Sequence, residues 1–399
     1  MEHWLGGNEK KSLWEKNSAF LHACIAYFVS MLLFVGLRVA GGLGWFGLLE
    51  EAICGKDACL HWDCIGAQAT DIIANVLIQI VIFLVVPLVI FKVLTKEPTK
   101  KVLTGIGFNR PSGRVIGFAF LLGLMFYVLN IFVASISQFP LTLLDYRFPG
   151  GSGMSPFSGI GGLFIGLLMV GVLPGVCEEV SNRGILMRGF MSKLGVWRAV
   201  LLSSLIFGLI HMNIAQAIYT TVLGVLIAIA ILATRSLWTG IIIHFMNNAL
   251  AVLSGFMYDR YGVSLINMFL DLFGPLGGIV FFILPVVMYI FMIKILHMFA
   301  RQNFKANEKE YIAEFLKNNP EYISQKMAAG QAVSLDEMSA SLSAHTQRLS
   351  KFRAIRFYLE GQRKPQKLNA IEKTFVFGMV FLTSVVTVMT LVWGLPPFF

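Results

Sequence analysis

The sequence predicts an all-α protein, a polytopic membrane helical bundle of about nine transmembrane helices with a cytoplasmic helical insert. Of its 399 residues, 56% are hydrophobic and 14% are charged, whereas soluble domains typically carry about 25% charged residues. The apolar residues form long runs, and about twenty such residues span a bilayer as a helix. One later stretch, residues 299–370, is polar and charged instead.

Nine apolar stretches are candidates for spanning helices, and the fifth is the shortest of them. They cover roughly residues 18–40, 72–94, 115–138, 159–182, 197–212, 214–234, 237–255, 275–298 and 374–395. The first 17 residues are polar and lead directly into a full span. That arrangement differs from a cleavable signal peptide, which has a short apolar region.

Loop charges predict the orientation of these spans. Basic residues such as Lys100 and Arg188 lie in alternate loops, and acidic residues such as Asp57 lie in the loops between them. Since cytoplasmic loops carry the excess of Lys and Arg, we expect a cytoplasmic N-terminus and an external C-terminus. The net charge of +10 has the same origin, so we expect no nucleic-acid partner. The absence of an obvious eukaryotic targeting signal favours a bacterial plasma membrane.

The polar stretch 299–370 is predicted to form the helical insert. Ser334 and Glu337 have the spacing of a capping box. The apolar residues that recur at helical intervals after Ser334 are Leu335, Met338, Leu342, Leu349 and Phe352. We expect the insert to lie on the membrane surface or on the bundle. The chain has no G-x-x-x-x-G-K-[ST] motif, which argues against an ATP-driven pump.

Three of the five cysteines, Cys54, Cys59 and Cys64, lie in the first external loop. We expect one disulfide and one spare thiol there, because an external compartment is oxidising. A metal site that includes His61 is the alternative, although zinc sites usually contain C-x2-C pairs.

Ionisable residues within the apolar runs indicate a functional site. They are Glu178 and Glu179 in the fourth run, His211 at the end of the fifth and His244 in the seventh. Such groups cost several kcal/mol at bilayer depth, so they face a protein interior or a wet cavity and usually mark function. We therefore expect the three segments to share one polar site.

Helix geometry assigns different partners to the two glutamates. Glu179 and Arg183 are four residues apart and share a helix face, so they are predicted to form an ion pair. Glu178 points about 100° away from Glu179, which leaves it free, with Asn182 four residues on as a hydrogen-bond partner.

The histidines also have neighbours at helical spacing. Phe207 shares a face with His211, and Asn248 shares a face with His244. A desolvated glutamate suits proton abstraction from water, and a histidine–asparagine pair can donate hydrogen bonds to an oxyanion. These residue types supply the parts needed to hydrolyse an amide bond. A glutamate with two histidines also matches the ligand set of zinc peptidases, although no H-E-x-x-H motif occurs.

Three motifs in order resemble those of the CPBP family, which includes the CAAX prenyl proteases and the bacterial Abi proteins. They are EExxxR (Glu178, Glu179, Arg183), FxxxH (Phe207, His211) and HxxxN (His244, Asn248), all within residues 159–255. The sequence departs from many bacterial members, which read EExxFRG, because Asn182 takes the place of the large apolar residue.

The resemblance implies an intramembrane endopeptidase. It carries Glu178 over as the base that activates water, His211 as its assistant, and His244 with Asn248 as oxyanion stabilisers. Family members have been described both as metalloproteases and as glutamate peptidases. We favour the glutamate type with no cofactor, and zinc bound by Glu178, His211 and His244 is the alternative. The implied partners are a membrane-anchored peptide or protein substrate and the lipid bilayer.

Two other functions remain open: a proton-coupled transporter that uses the same groups as a relay, and a non-catalytic immunity or partner-binding protein. One geometric difficulty also remains, because His211 lies about 20 Å along its helix from Trp197. If His211 meets Glu178, the fifth helix must start below the membrane surface or tilt strongly. The chain is divided into an N-terminal transmembrane region (1–158), a catalytic core (159–255), a transmembrane helix (256–298), the insert (299–370) and a C-terminal transmembrane helix (371–399).

Overall fold

The computed structural model describes residues 13–16, 18–42, 72–146, 159–329, 334–360 and 365–394. These residues form helices and connecting turns without a β-strand, and eight of the helices are long and apolar enough to cross a membrane. The prediction of a polytopic helical bundle is therefore confirmed. The predictions for Cys54, Cys59, Cys64 and His61 fall outside the described residues.

The helices are numbered here in chain order. They are α1 (Ala19–Gly42), α2 (Ile72–Thr95), α3 (Thr99–Gly105), α4 (Gly113–Leu143), α5 (Gly159–Leu194), α6 (Val196–Leu209), α7 (Ile214–Thr234), α8 (Leu237–Tyr261), α9 (Leu265–Asp271), α10 (Gly277–Ala306), α11 (Glu308–Asn318), α12 (Pro320–Ala328), α13 (Leu335–Gln347), α14 (Lys351–Glu360) and α15 (Ala370–Gly394).

Two spanning helices contain wider, π-helical turns. Helix α2 has one at Leu77–Val85, and α5 has two, at Leu167–Val172 and Val180–Met187. Such turns shift the angle between successive side chains and occur frequently at functional sites. The third of them contains Asn182 and Arg183, directly after the two glutamates.

The fifth predicted span is shorter than a membrane-spanning helix. Helix α6 has 14 residues, which extend about 21 Å against about 30 Å for the hydrocarbon core. It starts directly after α5 and packs against α7 as an antiparallel hairpin. A short helix in this place, rather than a ninth full span, is how the chain brings His211 back towards the residues of α5.

Small residues allow the helices around this hairpin to approach closely. A Cβ atom at Gly208 of α6 would overlap the Thr221 hydroxyl and lie 2.5 Å from the Ala217 carbonyl oxygen. At the contact between α5 and α8, a Cβ atom at Gly175 of α5 would lie 3.3 Å from the Ile241 carbonyl oxygen of α8. Helix α5 therefore packs close against α8, and α6 packs close against α7.

The remaining spanning helices surround these four. Helix α4 packs against α7, α8 and α10, while α1 packs against α2, α5 and α15. Helix α2 packs against the middle of α5, at Leu173–Glu179. The core between these helices is apolar and continuous.

The insert packs on the bundle. Its helix α14 contacts α10, α6 and α7, and its inward residues Ala354, Ile355 and Tyr358 are buried. Phe352 at the start of α14 lies against Trp197 of α6, with ring centroids 6.3 Å apart. Of the two alternatives for the insert, contact with the bundle is the one observed.

The structure contains one of the two hydrogen bonds of the capping box predicted at Ser334. The Ser334 hydroxyl accepts a hydrogen bond from the backbone amide of Glu337 at 3.4 Å. The periodic residues that follow do not form one helix. Leu335, Met338 and Leu342 lie in α13, which ends at Gln347, Leu349 lies in the connecting turn, and Phe352 lies in α14, which begins at Lys351. Helix α10 runs on to Ala306, so the first residues of the predicted insert prolong a spanning helix.

We predict that Gly208→Ala destabilises the α6–α7 hairpin by roughly 1–3 kcal/mol, because the added methyl group overpacks it. Gly117→Ala in α4 is the matched control, since its Cβ would meet nothing within 4 Å. That control should be neutral or slightly stabilising, because alanine favours helices. Thermal unfolding of the purified variants in detergent measures both effects, and equal melting temperatures would contradict the close packing.

Candidate functional site

A buried carboxylate lies at the centre of the site. Glu179 Oε1 accepts a hydrogen bond from Arg183 Nη1 at 2.9 Å and lies 2.9 Å from His244 Nδ1. All three side chains are at least 95% buried. The predicted Glu179–Arg183 ion pair is confirmed, and His244 of α8 joins it, a contact that the sequence alone did not predict.

Phe207 of α6 joins the two histidines to this charge cluster. Its ring centroid lies 5.1 Å from that of His211 and 5.9 Å from that of His244, both in perpendicular orientation. The guanidinium carbon of Arg183 lies 4.0 Å from the centroid of the same ring, at cation–π distance. The FxxxH and EExxxR motifs are therefore in direct contact through Phe207.

Glu178 turns away from Glu179, as predicted, but its partner is a different residue. Its Oε1 accepts a hydrogen bond from Nε2 of Gln79 in α2 at 2.9 Å. The predicted bond from Asn182 to Glu178 is wrong. Asn182 Nδ2 donates instead to the Tyr27 hydroxyl at 3.2 Å and to the Ser203 carbonyl at 3.3 Å.

Gln79 and Tyr27 are thus contacts that sequence reasoning missed. Gln79 carried a usable signal, because it is the single polar residue in the apolar segment LIQIVIFLV. A lone amide in a spanning helix usually bonds to another helix. Tyr27 lies near the middle of α1, and nothing in its local pattern separates it from a core aromatic residue.

The hydrogen bonds of His211 determine its tautomer. Its Nδ1 lies 2.8 Å from the Phe207 carbonyl oxygen, and a carbonyl can only accept. Nδ1 therefore carries a proton, and in the neutral ring Nε2 has a free lone pair. His211 is half-buried and within electrostatic range of Glu178 and His244.

His244 is constrained in a related way. Opposite an ionised Glu179, its Nδ1 is the donor, so Nε2 accepts in the neutral ring and donates only in the imidazolium.

Asn248, one helical turn beyond His244, is held against α5. Its Nδ2 donates to the carbonyl oxygen of Val170 at 2.8 Å, and its Oδ1 accepts from Asn247 Nδ2 at 3.0 Å. Val170 lies in the π-helical turn Leu167–Val172. One of the two amide hydrogens of Asn248 remains for another acceptor.

Several buried polar atoms of the site have no hydrogen-bond partner among the described residues. They are Gln79 Oε1, Glu179 Oε2, Asn182 Oδ1, Arg183 Nε and Nη2, and Asn247 Oδ1. Buried polar atoms in native proteins are nearly always hydrogen-bonded to protein or water. Their concentration here marks a polar interior suited to water and to the polar groups of a ligand.

Across the described ranges, no three His, Cys, Asp or Glu side chains are grouped so that they could hold a metal ion. The alternative ligand set Glu178, His211 and His244 is therefore not assembled in the arrangement described.

A separate cavity of about 410 Å³ lies in the insert, away from these residues. It is lined mainly by aromatic and aliphatic side chains, among them Tyr311, Phe315 and Phe357. It contains none of the motif residues, so the polar cluster on α5, α6 and α8 is the better candidate for chemistry.

Comparison with known families agrees with this placement. Residues 160–250 match the family described as Type II CAAX prenyl endopeptidase Rce1-like, which confirms the resemblance drawn from the motifs. The matched segment contains all three motifs, whereas α1, α2 and the insert lie outside it. No curated protein and no solved structure matches the chain.

Arg183→Ala is predicted to reduce stability and abundance as well as activity. It would leave Glu179 without its main counter-charge, and breaking a buried pair costs roughly 3–5 kcal/mol. Arg198→Ala, an exposed arginine of α6, is the control. The double change Glu179→Gln, Arg183→Gln should restore abundance in membranes. A well-folded but inactive Arg183→Ala would instead place Arg183 among the reacting groups.

Proposed function

We propose that this integral, multi-pass membrane protein is an intramembrane endopeptidase of the glutamate type, acting on a membrane-anchored or membrane-proximal peptide. One observation carries the proposal: within the segment that matches the endopeptidase family, Glu178 is the glutamate that the ion pair leaves free. Its carboxylate is half-buried, and in the described part of the chain its hydrogen-bond donor is Gln79.

Glu178 and His211 would share the attacking water. Glu178 is an acceptor, and the lone pair on His211 Nε2 is a second one, so a water molecule between them can donate both of its hydrogens. Its oxygen lone pair then faces the substrate carbonyl carbon. Glu178 takes the proton as the oxygen–carbon bond forms.

His244 and Asn248 would stabilise the oxyanion that forms on the substrate carbonyl. His244 would contribute Nε2–H as the imidazolium, and Asn248 would contribute its second amide hydrogen. When the carbon–nitrogen bond breaks, the proton held by Glu178 moves to the leaving nitrogen. The carboxylate of Glu178 is thereby regenerated.

The same cluster could act as a proton relay in a transporter, or bind a partner without turnover. The match to an endopeptidase family favours hydrolysis over both. We further propose that the N-terminus is cytoplasmic, because the basic loops then lie in the cytoplasm, and that the membrane is a bacterial plasma membrane.

Glu178→Gln should abolish turnover and leave the fold intact. The amide keeps the size of the side chain and an oxygen for Gln79, but it cannot take a proton, and losing a general base typically costs about 100- to 10,000-fold. Cleavage of a quenched fluorescent, prenylated peptide ending in a CAAX sequence, in proteoliposomes, is the measurement. Asp259→Asn, at the exposed end of α8, should leave the rate unchanged. A Glu178→Gln rate within threefold of wild type would refute the assignment.

Asn248→Ala separates the glutamate mechanism from a metal-dependent one. As an oxyanion donor, Asn248 should contribute about 100- to 1,000-fold to turnover, with little effect on substrate binding. As a group supporting a metal ligand, its loss should weaken metal affinity by about 10- to 100-fold and be reversed by added metal. We expect that added zinc does not restore activity to Asn248→Ala. We also expect that the wild-type protein keeps its full activity after treatment with a chelator. Rescue by zinc, or stoichiometric metal in the active protein, would favour the metalloprotease alternative.

A further inference from the structure

We propose that Gln79 completes the active site from outside the matched family segment. Its amide nitrogen holds the Glu178 carboxylate, and its amide oxygen accepts the N–H of the peptide bond that is cleaved. This inference rests on the proposed function of Glu178 as the base that activates water. Gln79 is thus a positioning residue for Glu178 and a contact for the substrate.

The orientation of the Gln79 amide follows from its neighbour. Gln79 is 7% exposed, and its Nε2 lies 2.9 Å from Glu178 Oε1. Because a carboxylate only accepts hydrogen bonds, the NH2 group must face Glu178, and Oε1 must point elsewhere. That oxygen is buried and has no hydrogen-bond partner among the described residues. A buried acceptor beside the reacting groups is suited to an N–H donor that arrives with the substrate.

The two sides of the site match the geometry of a peptide bond. Gln79 reaches Glu178 from α2, whereas His244 and Asn248 lie on α8, and both helices pack against α5. In the described part of the chain, α2 and α8 make at most marginal contact with each other. A trans peptide group is planar, and its C=O and N–H point in opposite directions. A carbonyl oxygen directed at α8 therefore directs the N–H towards α2 and Gln79.

The contact has a consequence for the choice of substrate. With Glu178 Oε1 held by Gln79, Oε2 is the oxygen left to take the proton from water. That proton later moves to the nitrogen whose N–H is bound to Gln79, so the leaving group is held beside its proton donor. An ester has an oxygen in place of this N–H and leaves Gln79 Oε1 unpaired. The ratio of kcat/KM for an amide to kcat/KM for the matching ester should therefore be higher with Gln79 than without it.

The experiment compares amide and ester versions of one peptide. Mass spectrometry first locates the bond cut by wild-type protein in the prenylated CAAX-type peptide, and that bond is then replaced by an ester. The tested variant is Gln79→Met, which keeps length and volume but has no amide. The control is Asn303→Leu, which removes the hydrogen bond that Asn303 Nδ2 donates to the Ala233 carbonyl oxygen, away from the site.

We expect Gln79→Met to lower kcat/KM for the ester by roughly tenfold, through the loss of one hydrogen bond to a charged group. For the amide the loss should be roughly 100-fold, because the second hydrogen bond is lost as well. The amide-to-ester ratio thus falls about tenfold in Gln79→Met, and it stays at the wild-type value in Asn303→Leu. Gln79→Asn, whose amide is too short to reach Glu178, should behave like Gln79→Met and is used if Gln79→Met does not fold.

The outcomes separate this inference from the proposed function. Suppose that wild-type protein cleaves the amide and Glu178→Gln does not. An unchanged amide-to-ester ratio in the Gln79 variants then refutes the role of Gln79, and the proposed function of Glu178 stands. If Glu178→Gln cleaves as well as wild type, the proposed function fails, and the role of Gln79 fails with it. A melting temperature that drops while kcat/KM stays unchanged would make Gln79 a purely structural residue.

Discussion

The buried carboxylate of Glu179 is the interaction on which the rest of the site depends. A carboxylate in an apolar bundle is costly unless it is paired and hydrogen-bonded, and here Arg183 and His244 both meet its Oε1. Because Arg183 lies on α5 and His244 on α8, the cluster joins two helices in one electrostatic unit. Phe207 then adds α6 through its contacts with Arg183 and both histidines. Arg183 and His244 thus hold Glu179, and the proposed role of base falls to Glu178, which lies outside the ion pair.

The sequence predicted what depends on composition and on spacing within one helix. The all-α fold, the Glu179–Arg183 pair and the outward turn of Glu178 follow from hydropathy and from the i,i+4 rule. The partner of Glu178 did not follow, because the contact from Gln79 joins residues 99 positions apart. Asn182 was assigned wrongly for the same reason, since its amide donates to Tyr27 of α1 and to the Ser203 carbonyl of α6, and spacing within one helix does not reveal such partners. The fifth span was given too great a length because the apolar run continues past the end of α6 at Leu209.

The N-terminal helices are integral to the site although they lie outside the matched family segment. Asn182 replaces an apolar residue of the family pattern, and the Tyr27 hydroxyl of α1 accepts a hydrogen bond from it. Gln79 of α2 donates a hydrogen bond to the Glu178 carboxylate. Asn182 thus has a hydrogen-bond partner in Tyr27 of α1, and Gln79 of α2 has one in Glu178.

The packing of α14 beneath the α6 hairpin affects how the protein is made. Phe352 lies against Trp197, and the buried face of α14 covers α10 and α7 as well as α6, yet α14 begins more than 140 positions after α6 ends. Chains emerge from the ribosome N-terminus first, at about 5–20 residues per second. Helices α1 to α8 are therefore synthesised before α14 exists, and the start of α6 stays uncovered by α14 during that interval. The contact between α14 and the start of α6 therefore forms late in biogenesis, only once synthesis has passed α14.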